Sequence, residues 1–133
     1  MNFEMIIEVT DLNEKLTKDF VEFCCKELEI EPDSITIDAY DETIKHPALG
    51  LCWQVEDHKY IIEVATKNRT LTEIYNTVAH ELIHVKQFEV DDLEKYFVSI
   101  NKPTYKERWW EIEAEKNSFD LVKKYVDILQ ELV

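Results

Sequence analysis

The chain has 133 residues, of which 45% are hydrophobic and 11% aromatic, so it is long enough and apolar enough to bury one core. These values exclude a disordered chain and leave little room for a second unit, so we expect a single domain over residues 1–133. The net charge of −14 repels phosphate backbones and anionic lipid. We therefore expect neither nucleic acid nor a membrane as a partner.

The cysteines indicate the compartment. Cys24, Cys25 and Cys52 are odd in number and form no C-x-x-C pair, which is typical of a reducing compartment rather than a disulfide framework. Residues 1–10 lack the basic region of a signal peptide. No apolar run approaches the roughly 20 residues that span a bilayer. The sequence therefore predicts a cytoplasmic protein.

The first predicted elements are a strand, a helix and a second strand. Phe3–Val9 is apolar with a β-branched bias, which predicts a strand or an extended entry. Asp11 or Asn13 then caps a helix over about residues 12–28. Ile35–Ala39 alternates apolar and polar side chains, which predicts a half-buried strand.

Two further strands form a predicted hairpin. Leu49–Val55 and Tyr60–Ala65 flank the short turn Glu56–Lys59. Trp53 and Tyr60 are expected to pack in the core, with exposure beside a binding site as the alternative use of both.

Two helices complete the predicted order. Thr70 or Thr72 caps a helix that ends near Phe88, and Glu73 completes a capping box if Thr70 is the cap. The last helix begins near Lys106 and runs to the end of the chain. This order predicts an α+β domain. We expect a small antiparallel or mixed sheet of three to four strands, packed on the helix that ends near Phe88.

That helix carries the motif H-E-L-I-H at residues 80–84. His80 and His84 lie four residues apart and project from one face, so both imidazoles can bind one metal ion. Glu81 lies beside that face, where it can accept a proton from metal-bound water without being a ligand. The predicted core stripe lies nearly opposite the histidines and comprises Leu71, Ile74, Tyr75, Val78, Leu82 and Val85.

A hydrolytic zinc ion usually has three protein ligands and one open position, so a third donor is needed. His46 and His58 are weak candidates because they lie upstream in loop and turn contexts. The head of the last helix offers Glu111, Glu113 and Glu115, although surface acids are also common at a helix N-terminus. Periodicity does not decide between Glu111 and Glu113, which flank the predicted buried stripe on opposite sides. That stripe comprises Trp110, Ala114, Leu121, Tyr125, Ile128 and Leu132.

Two blocks of the sequence resemble a known family. The first block, Val78–Gln87, contains H-E-L-I-H-V-K-Q, and the second, Trp109–Phe119, contains W-E-I-E-A. Both are similar to the minigluzincins. This group includes SprT-like proteins, immunity-repressor-cleaving peptidases and small phage-encoded metallopeptidases. The segment between the blocks has no clear extra histidine ligand, unlike metzincins, and the basic patches of DNA-associated SprT-like members are missing.

The resemblance implies a zinc ion held by His80, His84 and Glu113. In the repressor-cleaving branch, the Glu that precedes an Ala on the later helix supplies the third ligand, and Glu113 precedes Ala114 here. Glu111 remains an alternative, as does Glu115. The resemblance also implies that the hairpin provides an edge strand to which an extended peptide adds.

The expected reaction is peptide hydrolysis. Glu81 accepts the proton of zinc-bound water, the hydroxide attacks the carbonyl, and Glu81 returns the proton to the leaving amine. Tyr105 is our preferred group for stabilising the oxyanion, Tyr96 and Lys102 are alternatives, and packing is the competing role for each. Gln87 is expected to support a metal ligand from behind.

The sequence therefore predicts a zinc peptidase that acts on a protein or peptide inside the cell. The alternative is a catalytically silent zinc-binding interaction module of the same fold. A base at Glu81 favours the peptidase, because a structural zinc site has no use for one. A third interpretation is a metal-free α+β domain in which the motif arose by chance.

Overall fold

A computed structural model describes residues 1–7, 12–40, 49–93 and 108–131. Within these ranges the elements follow the predicted α+β order. They are β1 (Asn2–Ile7), α1 (Glu14–Glu27), β2 (Ser34–Tyr40), β3 (Gly50–Glu56), β4 (Lys59–Ala65), α2 (Leu71–Val90) and α3 (Trp109–Glu131). Across the described ranges, no helix combines the length and the apolar character that crossing a membrane requires.

The four strands form one mixed sheet in the order β1-β2-β4-β3. β1 and β4 run parallel to β2, and β3 runs antiparallel to β4 as the predicted hairpin requires. The parallel pair β1 and β2 is joined through α1, since parallel neighbours need a crossover longer than a hairpin turn. Among the described strands, β3 pairs only with β4, so it lies at an edge of the sheet.

The core lies between the sheet and the helices. Alternate residues of the two central strands are fully buried, as a period of two predicts for a sheet with one covered face. They are Ile35, Ile37, Ala39, Tyr60, Ile62 and Val64. Trp53 is 47% exposed, so the expected core packing is wrong for this residue. It pairs with Ile61 on β4 and therefore faces away from the buried face.

Two side-chain caps fix where α1 and α2 begin. Asn13 Oδ1 accepts a hydrogen bond from the backbone N–H of Leu16 at 2.8 Å. Thr70 and Glu73 form the predicted capping box, in which each side chain accepts from the backbone N–H of the other residue. These bonds satisfy N–H groups that have no partner within the helix. The helix that carries both histidines therefore has a defined start.

α2 is buried on more than one side. Most of the predicted stripe is buried, namely Ile74, Tyr75, Val78, Leu82 and Val85. Leu71 is the exception at 47% exposure. Glu81, His84 and Gln87 are buried as well, because α2 packs against β3 and β4 and also along α3. The predicted core stripe covers one side of α2 only, so it did not predict the contact with α3.

Candidate metal centre

Two histidines of α2 and one glutamate of α3 converge on one point. Oε1 of Glu111 lies 2.5 Å from Nε2 of His84 and 3.7 Å from Nε2 of His80. All three donor atoms lie within 4.8 Å of one another. Two imidazoles and a carboxylate are a donor set found at zinc in hydrolases.

The structure corrects the third carboxylate from Glu113 to Glu111. Glu113 turns away from the imidazoles and contacts two other residues of α2. Its Oε1 accepts hydrogen bonds from Lys86 Nζ at 3.2 Å and from Gln87 Nε2 at 3.0 Å. The fallback Glu115 lines the same cleft but is not among the three converging donors.

The correction has a cause in the packing of α3. The buried face of this helix includes Ser118 and Val122, which the predicted stripe omitted, whereas Ile128 of that stripe is 40% exposed. Ser118 and Val122 follow Glu111 by seven and eleven residues, which is about two and three helical turns, so they lie on the same side of the helix as Glu111. The buried face is therefore turned towards Glu111 and away from Glu113.

Glu81 lies at the site as a buried carboxyl group with 6% exposure. Burial raises the pKa of Glu81, which the imidazoles of His84 and His80 partly oppose. A carboxylate with a raised pKa is a better proton acceptor near neutral pH. Burial together with the charge of Glu81 also raises the pKa of the neighbouring Cys52 thiol, which therefore stays protonated.

The edge strand β3 approaches α2 closely at Gly50. A Cβ atom on this residue would lie 2.3 Å from Cγ2 of Thr77 and 3.4 Å from Cγ of Glu81. Thr77 is held in place because Arg69 Nη2 donates to its Oγ1 at 2.6 Å. Gly50 is the single glycine of the chain and lies inside a strand, and a glycine in a strand is a sequence signal for a close approach of backbone.

The contacts shift the pKa of two donors in opposite directions. The imidazoles of His80 and His84 hold the pKa of Glu111 well below its usual range. Burial lowers the pKa of His84, but its bonds to Glu111 and Gln87 and the charge of Glu81 outweigh burial, so the net shift is upward. A metal ion that binds here must displace any proton on Nε2 of His84, the nitrogen that faces Glu111.

Gln87 makes the supporting contact that the sequence predicted. It is fully buried, and its Oε1 lies 2.8 Å from Nδ1 of His84. Its Nε2 donates to the backbone carbonyl of Trp110 at 2.9 Å and to Glu113. One side chain thus contacts both helices that carry the donor atoms.

A cleft of about 570 Å³ opens on the three donors. Its walls are Leu49 with the first residues of β3 (Gly50–Cys52), one face of α2 and the start of α3 with Arg108. Asn76 also lines it, four residues before His80 on the same helical face. The sequence could have indicated Asn76 as a site residue from that spacing. The position of Arg108 in the cleft depends instead on how α2 and α3 pack.

The other predicted site residues lie elsewhere. His58 Nδ1 contacts Oε2 of Glu89 at 2.7 Å, near the C-terminal end of α2, so His58 is not a donor at this centre. Tyr105, our preferred oxyanion group, lies outside the described residues, and so do the alternatives Tyr96, Lys102 and His46.

Comparisons of the chain with protein-family models, with curated proteins and with solved structures gave no match. Residues 80–87 and 110–114 lie next to each other, because α2 and α3 pack together.

Proposed function

We propose that the chain is a zinc-dependent peptidase that hydrolyses peptide bonds in a protein or peptide substrate in the cytoplasm. The observation that carries this proposal is the convergence of His80, His84 and Glu111 beside the buried carboxyl group of Glu81. Structural zinc sites are closed by four protein ligands, whereas three ligands leave a position for water. The described residues offer three ligand atoms at this point, one each from His80, His84 and Glu111.

The donor set fits zinc chemically. Nε2 of each histidine faces the shared carboxylate, and Nδ1 of His84 is engaged by Gln87 on its other side. Imidazole bound through one nitrogen and held through the other is the usual arrangement at zinc. When bound, zinc supplies a Lewis acid that polarises the substrate carbonyl and acidifies water towards neutral pH.

The residues of this chain supply proton transfer and positioning. Glu81 accepts a proton from the attacking water and delivers it to the nitrogen of the leaving amine. Its burial supports this role, because a carboxylate removed from water holds the proton more strongly during the transfer. Glu111 is not assigned this proton transfer, because its carboxylate already contacts both imidazoles.

The position of β3 supports a peptide as the substrate. The first residues of this edge strand (Gly50–Cys52), together with the preceding Leu49, form a wall of the cleft that contains the candidate metal donors. An extended peptide that pairs with β3 would bring a backbone carbonyl to the centre through main-chain hydrogen bonds. The net charge of −14 favours substrates with basic segments.

The test is cleavage of a peptide library by the purified chain. We expect cleavage that stops with a chelator and returns with zinc. Glu81→Gln should keep zinc but lose about 10²- to 10⁴-fold in kcat/KM, because the base is removed and no ligand is. Full activity in this variant would reject the assignment. Zinc binding without any cleavage would instead indicate the silent interaction module.

A further inference from the structure

Gln87 joins the two helices that carry the donor atoms. It lies three residues after His84 on α2 and is fully buried. Its side-chain oxygen faces Nδ1 of His84 at 2.8 Å, and its side-chain nitrogen faces the Trp110 carbonyl and the Glu113 carboxylate of α3 at 2.9 and 3.0 Å. All hydrogen-bonding ends of the amide except one lone pair are thereby engaged.

The partners of this amide determine its orientation. The Trp110 carbonyl and the Glu113 carboxylate accept hydrogen bonds and cannot donate, so the NH₂ group must face them. The amide oxygen then faces His84, and because this oxygen only accepts, Nδ1 of His84 carries a hydrogen. Nε2 is therefore the nitrogen left to meet Glu111 and a metal ion.

Lys86 extends these contacts outwards. Its Nζ lies 3.2 and 3.4 Å from the two carboxylate oxygens of Glu113 and 2.9 Å from Oδ2 of Asp91. The ammonium group balances the charge of a carboxylate whose side chain is only 33% exposed. Glu113 thus has a role that does not require it to be a ligand.

We propose that Lys86, Glu113 and Gln87 form a positioning relay for the metal centre. The relay holds the Nδ1–H tautomer and the ring orientation of His84, and it fixes α3 in the rotation that brings Glu111 to the imidazoles. Glutamine suits this position because one side chain must accept from α2 and donate to α3. A carboxylate cannot donate, and an apolar side chain can do neither. The inference rests on metal binding in the proposed function and not on peptide hydrolysis.

The first test is Gln87→Met, which keeps the size of the side chain and removes its polar contacts. We expect zinc affinity to fall about 10- to 100-fold, as is usual when the partner of a ligating histidine is lost. Zinc affinity is measured by competition with a chromophoric chelator. A second readout is solvent exchange of the His84 Nδ1 proton in the zinc-loaded chain, measured by NMR. We expect this proton to exchange faster in Gln87→Met than in the wild-type chain. If Gln87 only filled space, replacing it with Met would leave the exchange rate unchanged.

The second test exchanges the amide at position 87 and the carboxylate at position 113. Gln87→Glu keeps an acceptor for His84 but loses both donors to α3 and meets the carboxylate of Glu113, so zinc affinity should fall. Adding Glu113→Gln returns an amide donor opposite the new carboxylate and should recover most of the lost affinity. This double variant also decides the matter if Gln87→Met does not fold.

Three results would overturn the relay: wild-type zinc affinity in Gln87→Met, an unchanged exchange rate of the His84 proton, or no recovery in the double variant. A wild-type chain that binds zinc and shows these effects but cleaves no peptide would reject the peptidase and keep the relay. A wild-type chain that binds no zinc would reject both.

Discussion

The spacing between the edge strand and the base depends on single residues. Gly50 lets the backbone of β3 approach α2, and the nearest atoms to its missing side chain belong to Thr77 and Glu81. Thr77 cannot rotate freely, because its Oγ1 accepts a hydrogen bond from Arg69 and a β-branched side chain is stiff at χ1. Any side chain at position 50 must therefore displace the strand or the helix.

We expect Gly50→Ala to lower the free energy of unfolding by about 1–3 kcal/mol, which is the usual cost of overpacking. Urea denaturation measures this change. Thr77→Ser is the matched partner, since it removes the clashing Cγ2 and keeps the hydroxyl for Arg69. The double variant should regain most of the loss made by Gly50→Ala, and purely additive effects would show that the clash is not the cause.

At the scale of elements, the hairpin is tied to the C-terminal end of α2. Oε2 of Glu89 contacts Nδ1 of His58 at 2.7 Å and accepts a hydrogen bond from the Tyr60 hydroxyl at 2.9 Å. The hydrogen bond and the charge of Glu89 raise the pKa of His58 above its usual value, and Asp33 and Asp57 act in the same direction. The turn that joins β3 and β4 is thus held to α2 by a pair that titrates.

This pair should make stability depend on pH. A raised folded-state pKa means that the contribution of His58 is fully present below its unfolded pKa of about 6.5 and is lost as pH rises through the folded value. The difference in unfolding free energy between the wild-type chain and His58→Gln should therefore shrink from about pH 5.5 to about pH 8.5. Tyr60→Phe, which removes a non-titrating contact to Glu89, should show no such trend. An equal difference at both pH values would contradict the prediction.

Local sequence signals predicted the helices and strands. The features that they did not predict depend on packing between those elements. The capping box at Thr70 and the spacing of His80 and His84 depend on neighbours within one helix, so the sequence contains them directly. The choice of Glu111 over Glu113 depends on the rotation of α3, which is set by contacts with α2 that lie far away in the sequence. The parallel pairing of β1 and β2 is long-range in the same sense.

At the scale of the whole molecule, the centre exists only when the helices are assembled. α3 is joined to α1 by hydrogen bonds from Tyr125 to Asp19 at 2.6 Å and from Lys124 to Glu27 at 2.8 Å, and it packs along α2. The unfolded chain has no preformed set of three donors. A metal ion that binds the centre must therefore stabilise the folded chain by mass action.

We expect zinc to raise the melting temperature of the chain and a chelator to lower it again. At free zinc about 100-fold above Kd, the gain in unfolding free energy is about 2.7 kcal/mol. Glu111→Gln should reduce the zinc-dependent gain by about 1.3 kcal/mol if the lost ligand costs tenfold in affinity at the same free zinc concentration. Glu115→Gln makes the same change of charge in the same cleft and should keep the full gain, because this carboxylate is not one of the converging donors. Equal gains in both variants would remove Glu111 from the centre, and no effect of zinc on the wild-type chain would leave a metal-free domain.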